Sequence, residues 1–166
     1  MSILNFTDFL NERFEKNNNP SLKMAAAGIA IIYNNKILLV HPTNGSWQKG
    51  TCGIPKGKME SHEDYMDAAI RETYEETGIL LDSTQLDPSP DAVNFYNKHG
   101  EVERQLIYFV CRISDLSEIG LSNLTIPKSN LQIDEIDWAK FVSAEDAHKI
   151  ISNSQRIILD RLLTLS

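Results

Sequence analysis

Apolar and polar positions follow two different periods along the chain, and the switches between them outline the elements. Residues 6–16 place Phe6, Phe9, Leu10 and Phe14 on one side, which predicts a short N-terminal helix ended by the Asn17-Asn18-Asn19-Pro20 breaker. Residues 24–33 are small and apolar and then β-rich, as in a buried strand. Asn34-Asn35 makes a tight turn, and residues 36–41 return as the hairpin partner. A loop rich in Gly, Pro, Lys and Asn covers residues 42–58. A helix is expected over about residues 63–77, with Gly78 at its C-cap. Residues 82–91, containing Pro88 and Pro90, read as a loop.

Residues 92–96 and 104–113 read as strands around a turn at 97–100, and residues 115–130 as a polar loop with little pattern. Residues 135–142 predict another strand. Ser143, paired with Asp146 in a box-like cap, starts a further helix, and residues 154–165 predict a last amphipathic one. Strands alternate with helices and no repeat is visible. The expected fold class is therefore α/β (α+β), a mixed sheet between helices, as one domain over residues 1–166 with a short helical extension at 1–20.

Composition narrows the class. The hydrophobic share of 42% is ordinary for a globular protein. No apolar run approaches the roughly 18 residues of a membrane helix, and residues 1–20 do not read as a secretion signal. Cys52 and Cys111 are too few for a disulfide framework and lack metal-site spacing, so two reduced thiols in a cytoplasmic protein are expected. The net charge of −7 argues against a nucleic-acid partner, which needs a basic face. It does not argue against a phosphate substrate, because bound cations invert the local charge of an acidic site. No feature of the sequence sets an oligomeric state.

The chemistry concentrates on the helix near residue 70. At about 100° per residue, Glu72, Glu75 and Glu76 fall within a wedge of roughly 100°. Met66, Ile70, Thr73 and Thr77 form a stripe roughly opposite, which would anchor the helix. Like charges this close repel and gain nothing structurally. A hard, oxygen-seeking cation would relieve the repulsion, and Mg²⁺ takes carboxylates while keeping its own waters. An arginine beside several carboxylates, Arg71, can hold them in a fixed fork geometry.

From Gly57 the sequence runs through five residues to Glu63, seven to Arg71-Glu72, two to Glu75-Glu76 and one to Gly78-Ile79. This pattern resembles the signature of the Nudix hydrolase family at every charged and glycine position. Thr73 departs from it, standing where the family usually has an aliphatic residue; a β-branched side chain of similar size implies only a modest packing cost.

The resemblance implies an α/β/α sandwich with a mixed β-sheet, and a Mg²⁺-dependent pyrophosphohydrolase, with Mn²⁺ as an alternative cation. It implies that the Gly57 carbonyl and Glu72, Glu75 and Glu76 bind metal and that Glu63 and Arg71 support them. It also implies that one glutamate serves as the base. The base could also come from beyond the motif, where Glu101, Glu103 and Glu135 are available; Glu135, just before Trp138, is the candidate further metal ligand.

The substrate expected is a small nucleotide in which a diphosphate links a nucleoside to another group. Trp47 followed by Pro55-Lys56-Gly57 resembles the diadenosine tetraphosphate hydrolases of the family, although the spacing from Trp47 to Pro55 is longer here. Lys56 is expected against a phosphate and Tyr96 against a base. Trp47 fits a loop anchor better than a ligand contact, and the four histidines take no role. Arg104 reads as an exposed strand-end cation. The alternatives are ADP-ribose, a (d)NTP or capped RNA. A non-catalytic nucleotide-binding domain is a further alternative, disfavoured because all motif carboxylates are present.

Overall fold

The computed structural model describes residues 24–165; the expected helix at residues 6–16 lies outside them. Strand β1 (Met24–Tyr33) is the spine of the molecule. Its apolar sequence follows from burial on both faces, because Ala27, Ile29 and Ile31 face one core cluster while Ala30 and Ile32 face another. Asn34 and Asn35 both have positive φ, 47° and 56°, the turn that matches the twist of a two-residue hairpin. Strand β2 (Lys36–Pro42) returns from it.

The two strands pair only beside the turn, at Ile32–Ile37 and Tyr33–Lys36. Short β3 (Lys56–Lys58) pairs antiparallel with the start of β1, with Gly57 opposite Ala27. On the other side β1 pairs in parallel with β5 (Val102–Ile113), which pairs antiparallel with β4 (Asp91–Tyr96). Strand β6 (Ile136–Ser143) runs antiparallel to β2. The sheet is therefore mixed, in the order β4-β5-β1-β2-β6, with β3 attached to β1.

Helix α1 (Tyr65–Thr77) covers one face through Ala68 and Ala69, both fully buried. Helices α2 (Ala144–Ile150) and α3 (Arg156–Leu162) cover the other through Ala147, Ile158 and Leu159. This is the α/β/α sandwich expected. Ser143 caps α2 by accepting from the Asp146 N–H, also as expected.

The strand bounds shift by one or two residues from the sequence reading, β3 forms within the expected loop at 42–58, and three further differences have clear physical causes. Helix α1 starts at Tyr65, not 63, because the Asp64 carboxylate accepts from the Asp67 N–H and ends the preceding loop. The last helix spans Arg156–Leu162, and residues Asn153–Gln155 form a tighter 3₁₀ turn before it. Residues 115–130 are not a featureless loop. Leu116, Ile119, Leu121, Leu124 and Ile126 all pack on the α1-side core, and the Ile126 N–H and Leu124 carbonyl bond to Ala139 and Phe141 of β6. Their irregular spacing matches neither helix nor strand, so no periodic signal marks them.

Candidate active site

The motif glutamates divide between two surroundings. Arg71 is the hub of the first. Its Nε donates to Glu63 Oε1 (2.5 Å) and one terminal nitrogen to Glu63 Oε2 (3.0 Å) and the Lys58 carbonyl (3.0 Å). The other terminal nitrogen donates to Glu72 Oε1 (3.0 Å) and Glu75 Oε2 (3.1 Å). Hydrogen bonding to Arg71 holds the Glu63 carboxyl below its usual range. Burial pushes Glu72 up; Arg71 opposes this, and the charges of Glu75 and Glu135 add to it.

Glu76 stands apart. It lies on the buried side of α1, 7% exposed, and its Oε2 accepts from the Lys56 N–H (3.2 Å). Burial pushes its carboxyl up to about 8, against the pull of Lys56. The expected stripe opposite the carboxylates is therefore only partly right. Ala68, Ala69, Thr73 and Thr77 are buried, Met66 and Ile70 are partly so, and Glu76 joins the buried set. Thr73 also differs from expectation. Its hydroxyl is buried with no partner among the described residues, so its cost is an unmet hydrogen bond rather than a difference of shape.

The loop before α1 meets the glutamates at Gly57. A Cβ on Gly57 would collide with the Glu72 carboxylate, so with any larger residue the end of the Glu72 side chain would have to move. Among the described residues no three acidic, His or Cys side chains converge at metal-holding spacing, because Glu72 and Glu75 turn toward Arg71. The set nevertheless fits a hard divalent cation. It offers only oxygens, and it includes a carboxylate, Glu76, whose charge is disfavoured by burial. Glu135 lies at the exposed start of β6, where its charge is felt by both Glu72 and Glu76, and the Gln132 N–H reaches the Glu76 carbonyl (3.4 Å).

A cavity of about 390 Å³ is lined by Ala26, Phe95 and Leu106 of the core under α2 and α3, and it reaches the carboxylate face through the Lys56–Gly57 backbone, which bonds to Glu76 and packs on Glu72. Lys56, Gly57 and Lys58 line it together with Ser152, Ser154 and Gln155. Phe95 and Arg104 line it as a pair, with the guanidinium 5.1 Å from the ring centre. Tyr96 does not line it and is 62% exposed; the adjacent Phe95 does line it. Glu101 instead accepts from the Asn97 side chain in the hairpin turn (3.0 Å). Trp47 is an anchor, its ring stacked 3.8 Å from that of His41 and edge-on to Trp138. His41 is buried and bonds to Asp137 through Nδ1 (2.6 Å). The sequence reading did not find Phe95, Gln105 or Gln155, because each is an isolated residue with no motif spacing.

The model of the NUDIX domain matches residues 22–162, which is most of the chain. The chain belongs to the NUDIX family. Among the relatives of this NUDIX chain is the mRNA-decapping protein g5R of African swine fever virus, 29% identical over 134 residues, covering 76% of this chain and 50% of that protein. Another is Nudix hydrolase 2 of Arabidopsis thaliana, 26% identical over 122 residues, covering 72% of this chain and 40% of that one. The chain thus spans half or less of the length of these curated relatives. Among solved structures, a binary complex of the C. elegans Ap4A hydrolase is 25% identical with a TM-score of 0.58, covering 83% of this chain and 93% of that one. No helix among the described residues is long and apolar enough to cross a membrane.

Proposed function

We propose that the protein is a pyrophosphohydrolase dependent on a divalent cation, Mg²⁺ or Mn²⁺, that cuts dinucleoside polyphosphates such as diadenosine tetraphosphate. The observation that carries this reading is the packing of Gly57 on Glu72. It joins the carboxylate face of α1 to a cavity lined by the cations Lys56, Lys58 and Arg104, on a chain of net charge −7.

The Gly57 carbonyl, Glu72, Glu75 and Glu76 would hold the cation, with Glu135 as a further ligand. When bound, the cation supplies positive charge against the phosphate oxygens and a more acidic water. Arg71 fixes Glu72 and Glu75 in one fork, and Glu63 fixes Arg71 in turn. Lys56 faces a phosphate as a point charge, while its own N–H orients Glu76. A motif carboxylate accepts the proton of the attacking water as the water oxygen bonds to phosphorus and the anhydride bond to the leaving phosphate breaks. Diadenosine tetraphosphate and one water then give AMP and ATP. Two unpaired, buried thiols, Cys52 and Cys111, suit a cytoplasmic enzyme.

A second substrate, capped RNA, is favoured by the likeness to a viral decapping protein and opposed by the acidic chain. A panel of diadenosine tetraphosphate, ADP-ribose, a dNTP and a capped RNA, each with Mg²⁺ and products separated by chromatography, tests the reading. AMP plus ATP from the first, lost in Glu75→Gln, is the expected result. Better cleavage of capped RNA would move the substrate and keep the chemistry. No cleavage of any member would end the reading.

A further inference from the structure

The turn that carries Glu135 is tied to the rest of the site by bonds that lie outside the motif. Residues Gln132–Ile136 form a tight turn leading into β6, in which the Gln132 carbonyl accepts from both the Glu135 N–H (2.9 Å) and the Ile136 N–H (2.8 Å). Glu135 is exposed on this turn, yet its charge reaches Glu72 and Glu76. The turn is held from two sides. On the α1 side the Gln132 N–H donates to the Glu76 carbonyl (3.4 Å), one of the last carbonyls that the helix cannot pair within itself. On the β2 side Thr43, the residue after the strand, makes two bonds. Its N–H donates to the Glu135 carbonyl (2.9 Å) and its Oγ1 donates to the Ile133 carbonyl (2.6 Å). Thr43 is itself fixed at the corner of a turn, because the Gly45 N–H donates to the Pro42 carbonyl (2.8 Å).

A glutamate on an unsupported surface turn samples many positions, and ordering it when a cation binds subtracts from affinity. One bond from the Thr43 N–H would fix a single point and let the turn pivot about it. The hydroxyl bond two residues away supplies the second point, so the turn keeps one orientation. Burial does not demand this bond. Thr43 is half-buried and Ile133 is exposed, so water could serve either group. We propose that Thr43 is a positioning residue for the cation site: its hydroxyl, together with its N–H, holds the Gln132–Ile136 turn so that the Glu135 carboxylate faces Glu72 and Glu76. This inference rests on the reading of Glu135 as a cation ligand given above, and the two can fail separately.

The test is equilibrium binding of Mn²⁺ to the full chain without substrate, followed by the electron paramagnetic resonance signal of the free ion. It is run on wild type, Thr43→Val, Thr43→Ser, Glu135→Gln and the double variant Thr43→Val with Glu135→Gln. Valine keeps the shape of threonine and loses the donor, whereas serine keeps the donor. Thr43→Ala takes the place of the valine variant if that one does not fold. Glu135→Gln is expected to weaken binding about 10-fold, Thr43→Val about 3–10-fold and Thr43→Ser less than about 2-fold. In the Glu135→Gln background the Thr43→Val step should add less than about 2-fold, because a residue that acts through Glu135 then has nothing to position. Equal weakening by Thr43→Val in both backgrounds, equal weakening by serine and valine, or unchanged binding in Thr43→Val would overturn the clamp and keep Glu135 as a ligand. Unchanged binding in Glu135→Gln would overturn the ligand and the clamp together. The expected binding pattern without cleavage of any member of the substrate panel would sink the hydrolase alone and support the clamp.

Discussion

The carboxylate face and the cavity are built differently. The carboxylate face comes from one stretch, Gly57 to Gly78, in which the glutamates, the arginine and the close-approach glycine are neighbours in sequence. The cavity is assembled from β4, β5 and the turn before α3, with Phe95, Arg104 and Gln155 brought together only by the sheet and its covering helices. Charge at close quarters needs one rigid helix to hold it, so it leaves a compact pattern. A binding surface made of a ring face and scattered polar groups needs only correct placement, which any part of the chain can supply.

The largest effect is expected where charge meets the reacting bond. Glu75→Gln should lower turnover by about 10²–10⁴-fold with the fold intact, measured as product release with Mg²⁺. A loss of less than 10-fold would move the chemistry off this helix. Gly57→Ala should come next. Its Cβ meets the Glu72 carboxylate, so β3 or the glutamate must shift, and a displacement on the order of 1 Å costs about 10²-fold in turnover. An unchanged rate would show that the Gly57–Glu72 contact does not matter.

What was legible in the sequence follows the same division. The motif fixed Gly57, Glu63, Arg71 and the three glutamates as a group, and the hairpin at Asn34-Asn35 announced β1 and β2. The separation of Glu76 from Glu72 and Glu75 was not legible. Helical angle alone puts all three in one wedge, and only the packing of β3 shows that the Lys56 N–H reaches Glu76 while Arg71 takes the others. Tyr96 is expected against a base because the resemblance places a tyrosine there, whereas the adjacent Phe95 lines the cavity, with a register shift between the two at the β4–β5 pairing. The core residues of 115–130 carry no periodic mark at all.

Glu76 also sets a pH dependence on the carboxylate side. Its carboxyl is pushed from 4.5 up to about 8 by burial, so between these values the folded protein holds a proton that the unfolded chain has released. The contribution of Glu76 to cation-free stability should therefore be full below pH 4.5, fall as pH rises toward about 8, and then level off. Glu72, shifted upward too, adds to the decline, and Glu63, shifted downward, acts only at lower pH. Urea midpoints across this range should show the slope in wild type and a flatter one in Glu76→Gln. A slope of the opposite sign would mean that Glu76 is charged and compensated in the folded state. Gln155→Glu should leave the decline from Glu76 in place.

The smallest effect is expected at Thr73. Its buried hydroxyl has no partner among the described residues, so Thr73→Val should raise stability by about 1 kcal/mol, read as a shift in the urea midpoint. Destabilisation instead would show that the hydroxyl is satisfied.

The account assigns chemistry to the carboxylate face of α1 and substrate binding to the cavity, and steady-state kinetics of Glu75→Gln and Gln155→Glu on diadenosine tetraphosphate test that division most directly. The predicted result is a fall in kcat for Glu75→Gln and a rise in KM for Gln155→Glu. If both variants changed kcat alike, or if Glu75→Gln moved KM alone, the division would be wrong.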